Sequence, residues 1–242
     1  MSFEACAALV ERADPDRFAA AMAVPVAARR VLMPIYAANA EIARAPYAAS
    51  EPLIAEMRLQ WWRDALEEIT SGGPVRRHEV TTPLAEVLPP EGARVLSGVA
   101  DARSWDVSGE PFADEDALVS HLDETAGSLS WASAIALGQG DEEVVRRDGT
   151  AGGIAAWLVA VAAYRERGRE PLPDPSDDGI RAIADRGLAH AGRRGGMATL
   201  WTWQATAILR QAASEPDRVN AGTLGTSEFW RRGSLLLRAL RG

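Results

Sequence analysis

The chain has 242 residues, enough for one sizeable hydrophobic core, and its sequence contains no linker that would divide it into separate domains. Its formal net charge of −8 argues against a nucleic-acid partner, because nucleic-acid-binding surfaces are basic. A single cysteine, Cys6, excludes an internal disulfide and a multi-cysteine zinc site, and the three histidines lack the spacing of metal ligands.

The N-terminal part of the chain predicts helices rather than a targeting segment. We expect a short helix over residues 2–12 and a longer one from Pro25 to Arg44 that contains Pro34. Acidic residues stand where a signal peptide needs basic ones, and no run reaches the roughly 18 apolar residues of a membrane span. These features predict a cytoplasmic protein, which could also lie at the periphery of a membrane.

The stretch from Pro34 to Ile69 predicts two helices joined by a short turn. Pro46 ends the first helix, and Ser50 is in position to cap the second. The second helix carries apolar residues on one face at three- and four-residue steps: Leu53, Ile54, Met57, Trp61, Ala65 and Ile69. Arg58 and Glu68 fall inside this apolar arc. Two interpretations are open for such charges, a structural ion pair or snorkelling side chain on the one hand, and a polar-lined central cavity on the other.

Small residues dominate the next long helix, which we predict from Asp114 to Leu137. Its second half contains Ala126, Gly127, Ser128, Ser130, Ala132, Ser133 and Ala134. Side chains of this size let either a neighbouring helix or a ligand come close, so helix packing and a ligand wall are both possible. The segment from Ile154 to Tyr164 is apolar all round, which predicts a central helix.

The C-terminal third predicts three further helices, over Gly179 to Arg193, Met197 to Ala213 and Ser227 to Leu240. The last of these is amphipathic. No segment of the chain alternates apolar and polar residues as a strand would. We therefore predict one all-α domain over residues 1–242, built from roughly nine or ten helices, well above the usual helix content.

Four stretches together resemble the squalene/phytoene synthase family. They are Val26 to Ile69, Pro74 to Val80 around His78, the segment HLDETAGSLSWASAIALG, and Gly152 to Pro173 with its ending RGREPLP. The resemblance implies an all-α bundle of the isoprenoid-synthase type around a deep, apolar central cavity.

The same resemblance implies a chemistry for which this chain lacks the residues. Enzymes of the family join two prenyl diphosphates head to head, and two aspartate-rich motifs hold Mg²⁺ against the leaving diphosphate. Matched to this sequence, those acids should stand at or near Ala43, Arg44, Tyr47, Ala160, Ala163 and Tyr164, none of which is acidic. Only Glu41 and Glu166 lie nearby.

The pattern NAEIAR followed by MRLQWW is closer to a divergent branch of the family that also lacks the full set of acids. That branch includes a mitochondrial complex I assembly factor and its proteobacterial relatives. The resemblance to it implies a retained fold in which the ancestral chemistry is lost.

Two functions are therefore open. The first is a non-catalytic protein without a cofactor or metal, which binds an apolar or anionic lipid-like ligand or acts as an assembly factor with a partner near a membrane. The alternative is an active, Mg²⁺-dependent head-to-head prenyltransferase with rearranged acids. For the first function we predict a cavity lined by Tyr36, Asn39, Glu41, Arg44, Met57, Arg58, Trp61, Gly127, Ser128 and Trp157. A collapsed core, in which Arg58 pairs with Glu41, is the competing arrangement.

Overall fold

The computed structural model describes residues 3–48, 51–192 and 195–241, and within these ranges it contains α-helices and no β-strand. The prediction of an all-α fold is confirmed. The helices are α1 (Phe3–Ala13), α2 (Pro15–Met22), α3 (Val26–Arg44), α4 (Pro52–Thr70), α5 (Thr81–Val87), α6 (Pro90–Ala102), α7 (Ser104–Ser108), α8 (Glu115–Leu122), α9 (Ser128–Leu137), α10 (Glu142–Glu166), α11 (Asp177–His190), α12 (Ala205–Ser214), α13 (Asp217–Asn220) and α14 (Glu228–Arg241).

Three of the predicted helix boundaries fall on Ser2, Ser50 and Arg193, which lie outside the described residues. The described part of the chain holds more and shorter helices than we predicted, because the π-helical turn Asp123–Gly127 and the 3-10 helix Gly196–Thr202 interrupt two of the predicted helices. None of the helices in the described ranges has both the length and the apolar character needed to cross a bilayer.

Helices α2 and α3 begin where the local sequence favours a helix start. The side chain of Asp14 accepts a hydrogen bond from the backbone N–H of Arg17 at 2.8 Å and so caps α2, whose first residue is Pro15. Helix α3 continues through Pro34, as predicted. Most of its residues from Leu32 to Ile42 are buried, which makes α3 a central element of the fold.

A π-helical turn, Asp123–Gly127, divides the helix that we predicted from Asp114 to Leu137. The small residues here serve close helix packing. A Cβ atom on Gly127 would lie 2.5 Å from Oδ1 of Asp123 and 2.9 Å from Oγ1 of Thr150 in α10, so a larger residue at this position would clash. On α10, a Cβ atom on Gly149 would lie 2.4 Å from Oγ of Ser130.

The apolar residues form two main hydrophobic clusters. The first lies largely among α1 to α6 and includes Leu32 and Leu59, and the second lies largely among α8 and α10 to α13 and includes Leu158 and Leu209. Helix α10 is central, as predicted, but Ala156 and Val159 remain exposed on one side of it. Ala156 lies in the wall of the cavity described next, whereas Val159 does not.

Candidate functional site

A cavity of about 600 Å³ opens between α1 to α3, the α9 region and α10. Its wall combines small and apolar side chains with arginines and two carboxylates. The lining residues that matter here are Arg12, Asp14, Arg17, Asn39, Glu41, Ala43, Arg44, Arg103, Leu122, Leu129, Trp157, Ala160, Tyr164 and Trp201. Of the predicted cavity residues, Asn39, Glu41, Arg44 and Trp157 line this space.

Four positions at which the sequence resemblance places metal-binding acids face the same cavity. Ala43 and Arg44 come from α3, and Ala160 and Tyr164 come from α10. The remaining two positions behave differently, because Ala163 is exposed and Tyr47 turns to a buried acid described below. The two helices therefore meet at one space, but with alanine, arginine and tyrosine side chains instead of aspartates.

The two carboxylates in the cavity wall are each held by an arginine. Asp14 Oδ2 lies 2.6 Å from Arg17 Nη1, and Glu41 Oε2 lies 2.9 Å from Arg44 Nη2. Among the described residues no group of three or more His, Cys, Asp or Glu side chains is placed to hold a metal ion. The residues present therefore do not fit the magnesium site that the resemblance implies, because the carboxylates in the cavity wall are each paired with a cationic arginine.

Arg17 also connects the cavity wall to the core below it. Its guanidinium carbon lies 4.3 Å from the centre of the Trp201 ring and 5.5 Å from that of Tyr36, distances at which a cation attracts an aromatic face. Tyr36 is buried beneath Arg17 and does not line the cavity. Burial raises the pKa of its phenol, so Tyr36 stays neutral and serves as packing.

Two more of the predicted lining residues lie elsewhere. Gly127 and Ser128 are buried at the contact between the π-helical turn and α10, and Ser128 Oγ donates to the Asp123 carbonyl oxygen at 3.3 Å. Their neighbours Thr125 and Ala126 line the cavity in their place. The small-residue helix therefore supplies both close packing and part of the wall, with different residues for each.

The sequence analysis did not identify Asp106, a buried acid in α7 near the end of the cavity. Asp106 is fully buried, its Oδ1 accepts a hydrogen bond from the Tyr47 hydroxyl at 2.8 Å, and its Oδ2 lies 3.1 Å from Arg103 Nη1. Arg169 Nη1 donates to its backbone carbonyl at 2.7 Å. Burial raises the pKa of Tyr47, and the Asp106 charge raises it further. No motif in the sequence marks Asp106, because its partners come from separate segments.

A second pocket of about 470 Å³ lies beside the N-terminal half of α4. It contains the other predicted residues, Met57, Arg58 and Trp61, together with Glu41, Arg44, Ala45, Ala48, Ile54, Trp62 and His78. The Trp61 and His78 rings are 5.1 Å apart. Glu41 and Arg44 line both spaces. The ten predicted residues therefore do not line one cavity but are divided between two pockets and the packed core.

The arrangement of α4 corrects two expectations about its apolar arc. Leu53 and Met57 are 71% and 64% exposed, and Arg58 is exposed with them, since α4 packs on α6 through Leu59, Trp62 and Leu66. The competing arrangement, a collapsed core in which Arg58 pairs with Glu41, is not the one observed, because Glu41 pairs with Arg44 and Arg58 is exposed.

Glu68 forms a structural ion pair, which was the first of the two interpretations open for it. Its two carboxylate oxygens accept hydrogen bonds from the side chain and backbone of Arg76. These hydrogen bonds lower the pKa of Glu68. Glu68 therefore connects α4 to the segment after it, through Arg76.

Comparisons with known proteins show the family and the fold of the chain. The family model described as squalene/phytoene synthase matches residues 10–175. The NADH dehydrogenase (ubiquinone) complex I, assembly factor 6 of Bos taurus is 25% identical over 183 residues, which cover 69% of this chain and 52% of the relative. The protein of the same name from Mus musculus is 24% identical over the same coverage. The chain thus spans about half the length of the curated relatives it matches.

A solved structure matches almost the whole chain. The crystal structure of a dehydrosqualene synthase in complex with ligand superposes with a TM-score of 0.73 at 11% sequence identity, covering 99% of this chain and 95% of that one. At this identity the match shows the fold alone. It confirms the predicted isoprenoid-synthase type of helical bundle.

Proposed function

The chain belongs to the squalene/phytoene synthase family, and from that premise we propose that it binds an amphiphilic ligand without transferring prenyl groups. The ligand has an apolar chain and an anionic head group, and it occupies the cavity between α3 and α10. The protein uses this binding in the assembly of a partner complex. Its cavity is a binding site and not a reaction centre.

The observation that carries the proposal is the combination of a retained cavity with a replaced acid set. Ala43, Arg44, Ala160 and Tyr164 face a space of about 600 Å³, within the roughly 300–1,000 Å³ of small-molecule sites. A prenyl transfer must neutralise the charge that develops on the leaving diphosphate. Alanines cannot coordinate a metal, and the nearby acids are engaged by arginines.

The charge of the lining favours an anionic head group. Four arginines and two carboxylates line the cavity: Arg12, Arg17, Arg44, Arg103, Asp14 and Glu41. An arginine fork binds phosphate or carboxylate directly through charge-assisted hydrogen bonds, without a metal. We place the head group beside Arg44 and the apolar chain along Leu122, Leu129 and Trp157.

The role in assembly comes from the relatives. The mammalian proteins of similar sequence carry the name of complex I assembly factors, and we extend that kind of role to this chain. The matched region covers about half of those relatives, so the partner complex here is defined only as a multi-subunit assembly. A pocket that holds a lipid-like molecule would let such a factor respond to its ligand when it engages the partner.

The binding proposal is tested with farnesyl diphosphate as the probe. Calorimetric titration without Mg²⁺ should show binding to the wild-type chain, and Ala160→Phe should reduce it because the ring enters the cavity. The matched control is Ala163→Phe, which places the same ring at an exposed position on the same helix. Absence of binding, together with no lipid in a solvent extract of the purified protein, would contradict the proposal.

The catalytic alternative is tested with the same probe and Mg²⁺. We expect no pyrophosphate release from the wild type. Ala43→Asp combined with Tyr47→Asp should not create any, because the α10 positions remain Ala160 and Tyr164. Magnesium-dependent release at a rate typical of enzymes, lost in Ala160→Phe and kept in Ala163→Phe, would establish the prenyltransferase instead.

A further inference from the structure

The C-terminal helix α14 is attached to the body of the protein through its polar side. Arg231 forms an ion pair with Asp16, and Arg238 Nη2 lies 2.8 Å from Oδ2 of Asp148. Arg238 also donates to Oγ1 of Thr202 at 3.0 Å. Of the apolar residues on this helix, Leu235 and Ala239 pack against the core.

The opposite side of α14 is apolar and open. Phe229 and Leu240 are each 83% exposed, and Trp230, Leu236 and Leu237 are also exposed. At about 100° per residue, these five side chains and Gly233 share one arc of the helix. An ordinary surface helix buries its apolar arc and exposes its charges. On α14, two arginines face the body and five large apolar side chains are exposed. An exposed apolar face of this size is typical of a surface that binds a partner.

Charge decides which partner suits this face. The segment Glu228–Arg241 contains four arginines and one glutamate, whereas the chain as a whole carries −8. Arg231 and Arg238 pair with Asp16 and Asp148 of the body. Arg232, 84% exposed, flanks the open apolar arc and lies 3.4 Å from Glu228, in an exposed pair that is exchanged at little cost. A second copy of the chain would bring two acidic bodies together, which repel each other. A bilayer with anionic lipids repels the acidic body and offers phosphate groups to Arg232 beside the arc, and so favours contact through α14 alone.

We propose that α14 is a membrane-surface anchor whose exposed apolar arc enters the interface of a bilayer containing anionic lipids. Its composition is that of an interfacial helix, with Trp230, Phe229 and leucines on one side and arginines on the other. Binding requires no unfolding, because the arginines that hold α14 to Asp16 and Asp148 lie on the side away from the arc. The proposal goes beyond the cavity ligand and does not depend on it.

The experiment is flotation of the full chain with two kinds of vesicle, phosphatidylcholine alone and phosphatidylcholine mixed with phosphatidylglycerol. The wild type should float with the mixed vesicles and more weakly with the neutral ones, and added salt should weaken the binding. Leu237→Ser combined with Leu240→Ser should reduce binding about tenfold or more, because interfacial affinity scales with apolar area. Leu53→Ser, at an exposed leucine of α4, is the matched control and should bind as the wild type does.

Three outcomes would overturn the proposal. One is no flotation with either vesicle. Another is binding that the double variant leaves unchanged. The third is a wild-type dimer in sedimentation that the double variant converts to a monomer, which would assign the face to a second copy of the chain. Since none of these measurements involves farnesyl diphosphate, the anchor and the cavity ligand can fail independently.

Discussion

Asp106 and Asp148 are both almost fully buried carboxylates held by an arginine, but their partners come from different distances along the chain. Asp106 pairs with Arg103, three residues away, and receives a further hydrogen bond from Tyr47. Asp148 pairs with Arg238, ninety residues away, on a helix that has few other contacts with the body. The Asp106 network belongs to the packed wall of the cavity, whereas the Asp148 pair exists only while α14 is docked.

The difference shows how one kind of interaction serves two purposes. At Asp106 the charges complete a rigid wall, and removing any of them should weaken the whole fold. At Asp148 the charges hold a helix whose large apolar face points outward, so that a small apolar part of it, Leu235 and Ala239, packs against the core. The predictions below separate these two roles by their size and by their dependence on pH.

The largest expected effect is that of Asp106→Ala. The substitution leaves Arg103 largely buried without its counter-charge, and breaking a buried pair in this way costs about 3–5 kcal/mol of the free energy of unfolding. Urea denaturation measures the change. Asp101→Ala is the control, because its 64% exposed carboxylate pairs with Arg63 at the surface and should cost at most about 1 kcal/mol. Equal costs for the two variants would show that the Asp106 network does not hold the wall.

Arg238→Ala should lower the free energy of unfolding by about 2–3 kcal/mol at neutral pH, because it leaves the Asp148 carboxylate buried and unpaired. Arg232→Ala, on the same helix but 84% exposed, should change it by less than about 0.5 kcal/mol. Denaturant unfolding and proteolysis near the C-terminus measure the two.

The cost of Arg238→Ala should also depend on pH. Burial already raises the pKa of Asp148 above its ordinary value, against the opposing charge of Arg238. Without Arg238 this pKa rises further. A folded-state pKa above the unfolded one means that stability falls as pH rises through the interval between them. The cost should therefore be smaller at pH 5 than at pH 7. A cost that is the same at both values would contradict the assignment of Asp148 as the orphaned group.

Tyr47→Phe should have a moderate effect, about 1–2 kcal/mol, because it removes one hydrogen bond to a carboxylate that keeps Arg103. The same substitution tests whether Tyr47, at a former acid position, only supports Asp106. In that case binding of farnesyl diphosphate should change less than stability does, as seen by calorimetry. A large loss of binding with unchanged stability would place Tyr47 in contact with the ligand.

The smallest effect on stability is expected for Trp230→Ser. Trp230 is 67% exposed on the open arc of α14, so its replacement should shift the free energy of unfolding by less than about 0.5 kcal/mol. Thermal denaturation of the free protein checks this. A substantial loss of stability would mean that the arc is covered in the free protein, by a second copy or by the body.

The sequence predicted the elements of the fold better than their orientation. Proline and glycine positions placed the ends of α3, α4 and α9 within a few residues, because those effects are local. Periodicity also identified α14 as amphipathic. It could not indicate that the polar side faces inward, since this depends on Asp16 and Asp148, which lie in distant parts of the chain.

The candidate site was predictable where it depended on one helix and unpredictable where it depended on several. Arg44 and Trp157, which the resemblance assigns to the cavity, line the space between α3 and α10. Arg58 was expected to point inward with its apolar neighbours, but it lies with Leu53 and Met57 on an exposed side of α4, while Ala55 and Leu59 on another side are buried. Asp106 has no local motif, and only the folded chain brings Tyr47 and Arg169 to it.

The ion pair of Glu41 and Arg44 has a consequence for the size of the head group that the proposed complex would admit. The two residues line both pockets and therefore form the partition between them. Arg44 is 67% exposed at its side chain, and an exposed pair of this kind contributes about 0–1 kcal/mol. Thermal motion can therefore open the partition at little cost. In the proposed complex the head group lies beside Arg44, so a small head group stays in the cavity, while a larger one displaces that side chain and extends toward Trp61.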